Sequence, residues 1–126
     1  MAQRTPNLPL RCVVLRHEGV EEPHYDVLFE ISPGSPLATW RASRWPIAPG
    51  DHAVRAADHR PAYLTYEGPI SGDRGHVRRV FEDPACRVCL QEGHLEVTFG
   101  DGTELLMTKD SPDAWFCWID RGRVRR

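Results

Sequence analysis

The sequence predicts an all-β fold, a barrel or a sandwich, and three observations carry that expectation. Ten glycines and 11 prolines punctuate a chain of 126 residues. Between these breaks lie short runs of β-branched, aromatic and alternating residues. No segment sustains the helical period of about 3.6 residues for three turns.

In chain order the expected strands are RCVVLR (11–16), HYDVLFEI (24–31), LATWRAS (37–43), AYLTYEG (62–68), HVRRVF (76–81), ACRVCLQ (85–91), HLEVTFG (94–100), TELLMT (103–108) and AWFCWID (114–120). In 24–30, Tyr25, Val27 and Phe29 form one apolar face, opposite His24, Asp26, Leu28 and Glu30. In 94–99, Leu95, Val97 and Phe99 alternate with His94, Glu96 and Thr98, and Asp101-Gly102 supplies the positive-φ turn of a hairpin. ISPGSP (31–36) and WPIAPGD (45–51) read as loops. Repeats, low-complexity tracts and domain boundaries are not evident, so a single domain over 1–126 is expected, with 1–10 and 121–126 as tails.

Composition narrows the function classes. Net charge is −2, with 40% hydrophobic and 27% charged residues, which is ordinary for a soluble globular domain. Neither an apolar leader nor a membrane-length apolar run is present, so the cytoplasm is the expected compartment and no membrane partner is expected. Lys109 is the one lysine among 16 basic residues; the arginines suit phosphate and carboxylate, although a GC-rich genome would give the same bias with no function attached. The RGRVRR end (121–126) carries enough charge to touch a nucleic-acid backbone, although a disordered, solvated end is the preferred reading. Cys12, Cys86, Cys89 and Cys117 read as buried thiols; Cys86 and Cys89 have C-x-x-C spacing but lack a second ligand pair.

The chemistry concentrates in HEGVEEPHYDVLFE (17–30). His24 and Asp26 share a strand face about 7 Å apart, and the loop EGVEEP can return His17 beside them. A His/His/Asp trio suits Mn²⁺, Zn²⁺ or Fe²⁺ with positions left for substrate; surface polarity on a wet sheet face is the alternative. In DHRPAYLTYEGPISGDRG (58–75), His59 and Tyr63 share a face if the run is extended, and can serve as general acid and electrostatic stabiliser. Arg55 has their parity and can hold phosphate, with Arg41 and Arg44 as further candidates. Tyr66, out of phase with Tyr63, is expected in the core.

These motifs, in this order, resemble the 3′-phosphoesterase domain of bacterial DNA ligase D, which also occurs as short stand-alone proteins. The carriers are a histidine before the loop (His17), HYDxxxE (His24 to Glu30), PGD (49–51), DHxxxY (His59 to Tyr63), xYEGxI (Tyr66 to Ile70) and SGDRG (71–75). The resemblance implies a compact β-barrel with a polar crevice holding a divalent metal, preferably manganese. His17, His24 and Asp26 match its metal ligands, and His59 and Tyr63 its residues on the scissile phosphate. It also implies processing of DNA or RNA–DNA 3′ ends, removing a terminal ribonucleoside and then the 3′-phosphate, with a separate DNA ligase or end-joining factors as partners. Leu28 stands where the family has a phosphate-binding arginine. The alternative functions are a catalytically weakened module that binds nucleic-acid ends or a repair protein, and a hydrolase of small phosphate esters.

Overall fold

The computed structural model of the protein describes residues 8–121. Eight antiparallel strands close into a barrel in the order β1 (Leu10–Glu18), β2 (His24–Glu30), β3 (Leu37–Ala42), β4 (His52–His59), β9 (Ala114–Asp120), β8 (Glu104–Ser111), β7 (His94–Thr98) and β6 (His76–Gln91), with β6 returning to β1. A two-residue strand, β5 (Gly68–Pro69), adds to the start of β6, and a 3₁₀ turn spans Pro61–Leu64. The expected barrel is therefore present. Among the described residues, no helix is long and apolar enough to cross a membrane.

Several elements differ from the sequence expectation. HAVRAADH, not expected as a strand, forms β4; its paired alanines weaken the apolar alternation on which strand reading rests. AYLTYEG does not form a strand, because Pro61 starts a 3₁₀ turn at the end of β4. The strands expected at 76–81 and 85–91 are one strand, β6, of 16 residues. Its first part pairs with β1 and its last part with β7. Pro84 is tolerated where the β1 register slips between Leu10 and Cys12. The expected tails fall mostly on residues outside those described; Leu10, however, is buried and opens β1. Of RGRVRR, only Arg121 is described.

The alternation in β1, β2 and β3 is apolar on both faces, so two clusters form. Cys12, Val14, Val27, Phe29, Trp40, Leu95, Met107 and Trp115 help fill the barrel interior. Trp40 packs edge-on against Phe29 at 6.0 Å and Trp115 at 5.2 Å. The opposite face presents Val13, Leu15, Leu28 and Leu37, joined by Val77 of β6. Leu64, with Tyr63 and Ile70, covers this second cluster. Each large side chain so buried contributes about 1.5–3 kcal/mol, enough to hold the 60–75 segment against the barrel wall.

The thiols follow this layering. Cys12, Cys86 and Cys117 are buried and Cys89 is exposed, so the C-x-x-C pair does not converge on one site. The hairpin expected at 94–108 forms as β7 and β8, with Gly102 at φ 93°.

The 45–51 loop is pinned by Asp51, whose carboxylate accepts from Arg44 Nε at 2.8 Å, Arg44 Nη2 at 2.6 Å and the Ala48 amide at 2.9 Å. The Arg44 fork and that amide lower the carboxyl from 3.8 to about 2. A depressed carboxylate stabilises the fold above its unfolded value and loses that contribution as pH falls through the folded value. Asp51→Asn should cost on the order of 0.5–1 kcal/mol at pH 6, modest because Arg44 is exposed. Urea midpoints of variant and wild type should converge by about pH 2; a constant gap would refute the assignment.

Candidate metal centre on the barrel wall

The second cluster ends in polar residues, and strand register brings them together. His17 of β1 pairs directly with His24 of β2. Asp26 lies one pleat further along β2, opposite Arg41 of β3. The three expected ligands thus share the outer face of two adjacent strands, where each offers one donor atom within 4.8 Å of the others. His24 and Asp26 are buried and His17 is half-buried.

Hydrogen bonds fix which imidazole nitrogens face inward. His24 Nδ1 lies 2.9 Å from the Glu22 carbonyl and must carry the proton it donates there. His17 Nε2 likewise donates to the Arg74 carbonyl at 2.8 Å. The other nitrogens carry lone pairs in the neutral rings. His24 Nε2 stands 3.3 Å from Asp26 Oδ1, and His17 Nδ1 stands 3.6 Å from Asp26 Oδ2.

A lone pair facing a carboxylate is repulsive unless a proton or cation lies between them. Consistent with that need, His24 Nε2 is buried without a hydrogen-bond partner among the described residues. Donors bonded about 2.1 Å from one ion lie roughly 3.0–3.4 Å apart in octahedral or tetrahedral geometry, close to these separations. Ligating histidines typically donate their second N–H to a backbone carbonyl, as both do here. The residues therefore fit a divalent cation with mixed nitrogen and oxygen preference.

His59 approaches the same carboxylate from the end of β4, with Nε2 3.8 Å from Asp26 Oδ2. The Thr39 hydroxyl donates to the Leu37 carbonyl at 2.9 Å, so its oxygen accepts from His59 Nδ1 at 3.1 Å. The His59 lone pair at Nε2 consequently also faces Asp26. Tyr63 packs edge-on to His59 at 5.2 Å, carried by the 3₁₀ turn rather than by an extended run.

Beside these groups lies a cavity of about 270 Å³ whose wall includes His17, Asp26, Arg41, His59, Tyr63 and Arg74. The three arginines considered for phosphate separate. Arg41 lines this cavity. Arg44 is held by Asp51 on the 45–51 loop. Arg55 lies over Trp40 at 4.5 Å and binds the Thr39 and Ala56 carbonyls and Asp58. Its expected parity with His59 fails because the β3–β4 register shifts between Leu37 and Thr39. Leu28 is fully buried in the second cluster.

Sequence reasoning missed two contributors. Thr39 is a buried polar residue that orients His59. Arg74 supplies both the carbonyl that holds His17 and a guanidinium anchored to Ser71, through its carbonyl at 2.6 Å and hydroxyl at 3.1 Å. SGDRG was visible as a motif, but its contact with His17 depends on how the covering segment crosses the barrel. Gly75 permits that crossing: it has φ 78°, and an added Cβ would lie 2.1 Å from the Glu18 carbonyl.

No protein-family model matches the chain. A segment of 82 residues is 34% identical to the demethyllactenocin mycarosyltransferase of Streptomyces fradiae, covering 60% of this chain and 16% of that protein. The chain thus spans about a sixth of that relative's length, and the likeness does not assign it a family.

A divalent transition-metal ion at saturating concentration should raise the melting temperature by several degrees, and His24→Ala should weaken the affinity at least about tenfold. An equal shift in wild type and variant would remove His24 from the site. Gly75→Ala should cost at least about 2 kcal/mol in urea unfolding and should also weaken cation binding through His17. Unchanged stability would show that Glu18 yields freely.

Proposed function

We propose that this protein is a metal-dependent phosphoesterase acting on 3′ ends of DNA or RNA–DNA strands. The observation that carries the reading is the convergence of three imidazole lone pairs on Asp26, in a cavity walled by Arg41, Arg74 and Tyr63. The order of the motifs resembling the ligase D 3′-phosphoesterase family supports it, and manganese is the preferred cofactor on the same ground. Zinc or another transition metal suits the donor set as well.

His17, His24 and Asp26 would hold the cation, which supplies Lewis-acid stabilisation of phosphoryl charge when bound. Arg41 and Arg74 neutralise the remaining phosphate charge, replacing the arginine that Leu28 displaces. Hydrolysis breaks one phosphorus–oxygen bond, adds water to phosphorus and leaves an oxygen that must collect a proton. His59 would take up a proton from solvent on its Nε2 lone pair and pass it to that oxygen, its ring being held by the Nδ1–H bond to Thr39. Tyr63 restricts the His59 ring from the side and presents its phenol to the phosphate.

A ligase or end-joining factor would then act on the exposed hydroxyl. The rival binding module draws on Leu28, whose burial removes one phosphate contact. The rival small-ester hydrolase draws on a cavity of about 270 Å³, roomy enough for one phosphate and its sugar.

Purified protein with Mn²⁺ should shorten a labelled primer ending in a ribonucleotide, or dephosphorylate one ending in a 3′-phosphate. His24→Ala should abolish the product, and Arg74→Ala should reduce kcat/KM about tenfold or more through the lost charge-assisted contact. Primer turnover would rule out a mere binding module. No primer product from wild type that retains manganese through His24 would overturn end processing. Turnover of p-nitrophenyl phosphate alone would then identify a small-ester hydrolase.

A further inference from the structure

A second cavity, of about 240 Å³, adjoins the metal centre and shares Tyr63 and Ile70 with it. Its remaining wall includes Arg60, Tyr66, Pro69 and Ser71. Tyr66, expected in the core, is instead 38% exposed. An exposed tyrosine ring would ordinarily sample several rotamers, yet three contacts orient this one. Its hydroxyl donates to the Pro69 carbonyl. Its ring packs edge-on to Tyr63 at 5.7 Å. Beneath it lies Gly68, at φ 139°, where a Cβ would stand 3.0 Å from the Tyr66 hydroxyl and 3.3 Å from the ring.

We infer that this cavity is a nucleobase subsite, in which the base of the strand's terminal nucleotide stacks on Tyr66 while its phosphate occupies the metal centre. The inference rests on the proposed function for the phosphate half alone. The base half rests on a pre-oriented aromatic ring beside that centre, in a cavity smaller than the roughly 300–1,000 Å³ of drug-sized sites and suited to one ring system. Aromatic stacking accepts any base, since each presents a π-face. Arg60, whose guanidinium lies 5.9 Å from the Tyr63 ring centre, adds a planar cation at the mouth. The subsite would thus distinguish a nucleotide end from a bare sugar phosphate without reading sequence.

The test is calorimetric titration of the manganese-loaded protein with thymidine 3′-monophosphate and with the abasic deoxyribose 3′-phosphate, alongside primer turnover. Wild type should bind the base-bearing ligand roughly tenfold more tightly. Tyr66→Ala should erase that preference while leaving abasic affinity unchanged, and Tyr66→Phe should keep most of it; both should melt cooperatively by circular dichroism. Equal affinities in wild type, or a preference surviving in folded Tyr66→Ala, would overturn the subsite even if primers are processed. A Tyr66-dependent preference without primer or ester turnover would sustain the subsite and refute the phosphoesterase. Binding of neither ligand would refute both. If Tyr66→Ala fails to fold, Tyr66→Leu replaces it under the same criteria.

Discussion

The outer face of β1, β2 and β3 cannot face water, and the rest of the arrangement follows from that constraint. Val13, Leu15, Leu28 and Leu37 are fully buried on the side of these strands opposite the barrel interior. Left bare, they would form an apolar patch of the kind folded domains rarely expose. The segment from His59 to Gly75 supplies the cover through Leu64, Tyr63 and Ile70. Where cover and wall stop being apolar, they enclose His17, Asp26, Arg41, His59 and Arg74. The crevice is the polar margin of a hydrophobic contact.

That origin explains its electrostatics. Asp26 is buried because it lies one pleat from Leu28 under the same cover, yet its closest charged-type neighbours are imidazoles whose protons point elsewhere. Carbonyls of Glu22 and Arg74 and the hydroxyl of Thr39 take those protons. The imidazoles are therefore oriented by the backbone of two connections, β1–β2 and β5–β6, and by one hydroxyl on β3. Such support holds ligands in place before a cation arrives and lowers the ordering cost of binding.

Much of this was legible in the sequence where a local rule suffices. Strand alternation gave the faces of β2 and β7, and Asp101-Gly102 gave β8 as the hairpin partner of β7. The His17, His24 and Asp26 cluster followed from period-two geometry and a short loop. The rest depended on features with no local signature. The β3–β4 register shift turns Arg55 away from His59. The alanines of β4 conceal a strand, and Pro61 converts the next run into a turn that carries Tyr63. Leu28 made sense only when its neighbours in space, Leu37 and Leu64, were visible. Thr39 and Arg74 act through single hydrogen bonds that no spacing rule specifies.

The contiguous cover has a consequence for how this protein can diversify. The cation donors sit on β1 and β2, whereas Tyr63, Tyr66, Ile70 and Arg74, which shape the space beside them, lie on one stretch of chain. Substitutions, insertions or exchange of that stretch between related chains can therefore alter what the site accepts in one genetic step. Only the apolar anchor, the backbone carbonyl at Arg74 that holds His17 and the glycine crossing at Gly75 must survive. The barrel wall and its donors can remain constant across such changes, so specificity and metal chemistry can be selected separately.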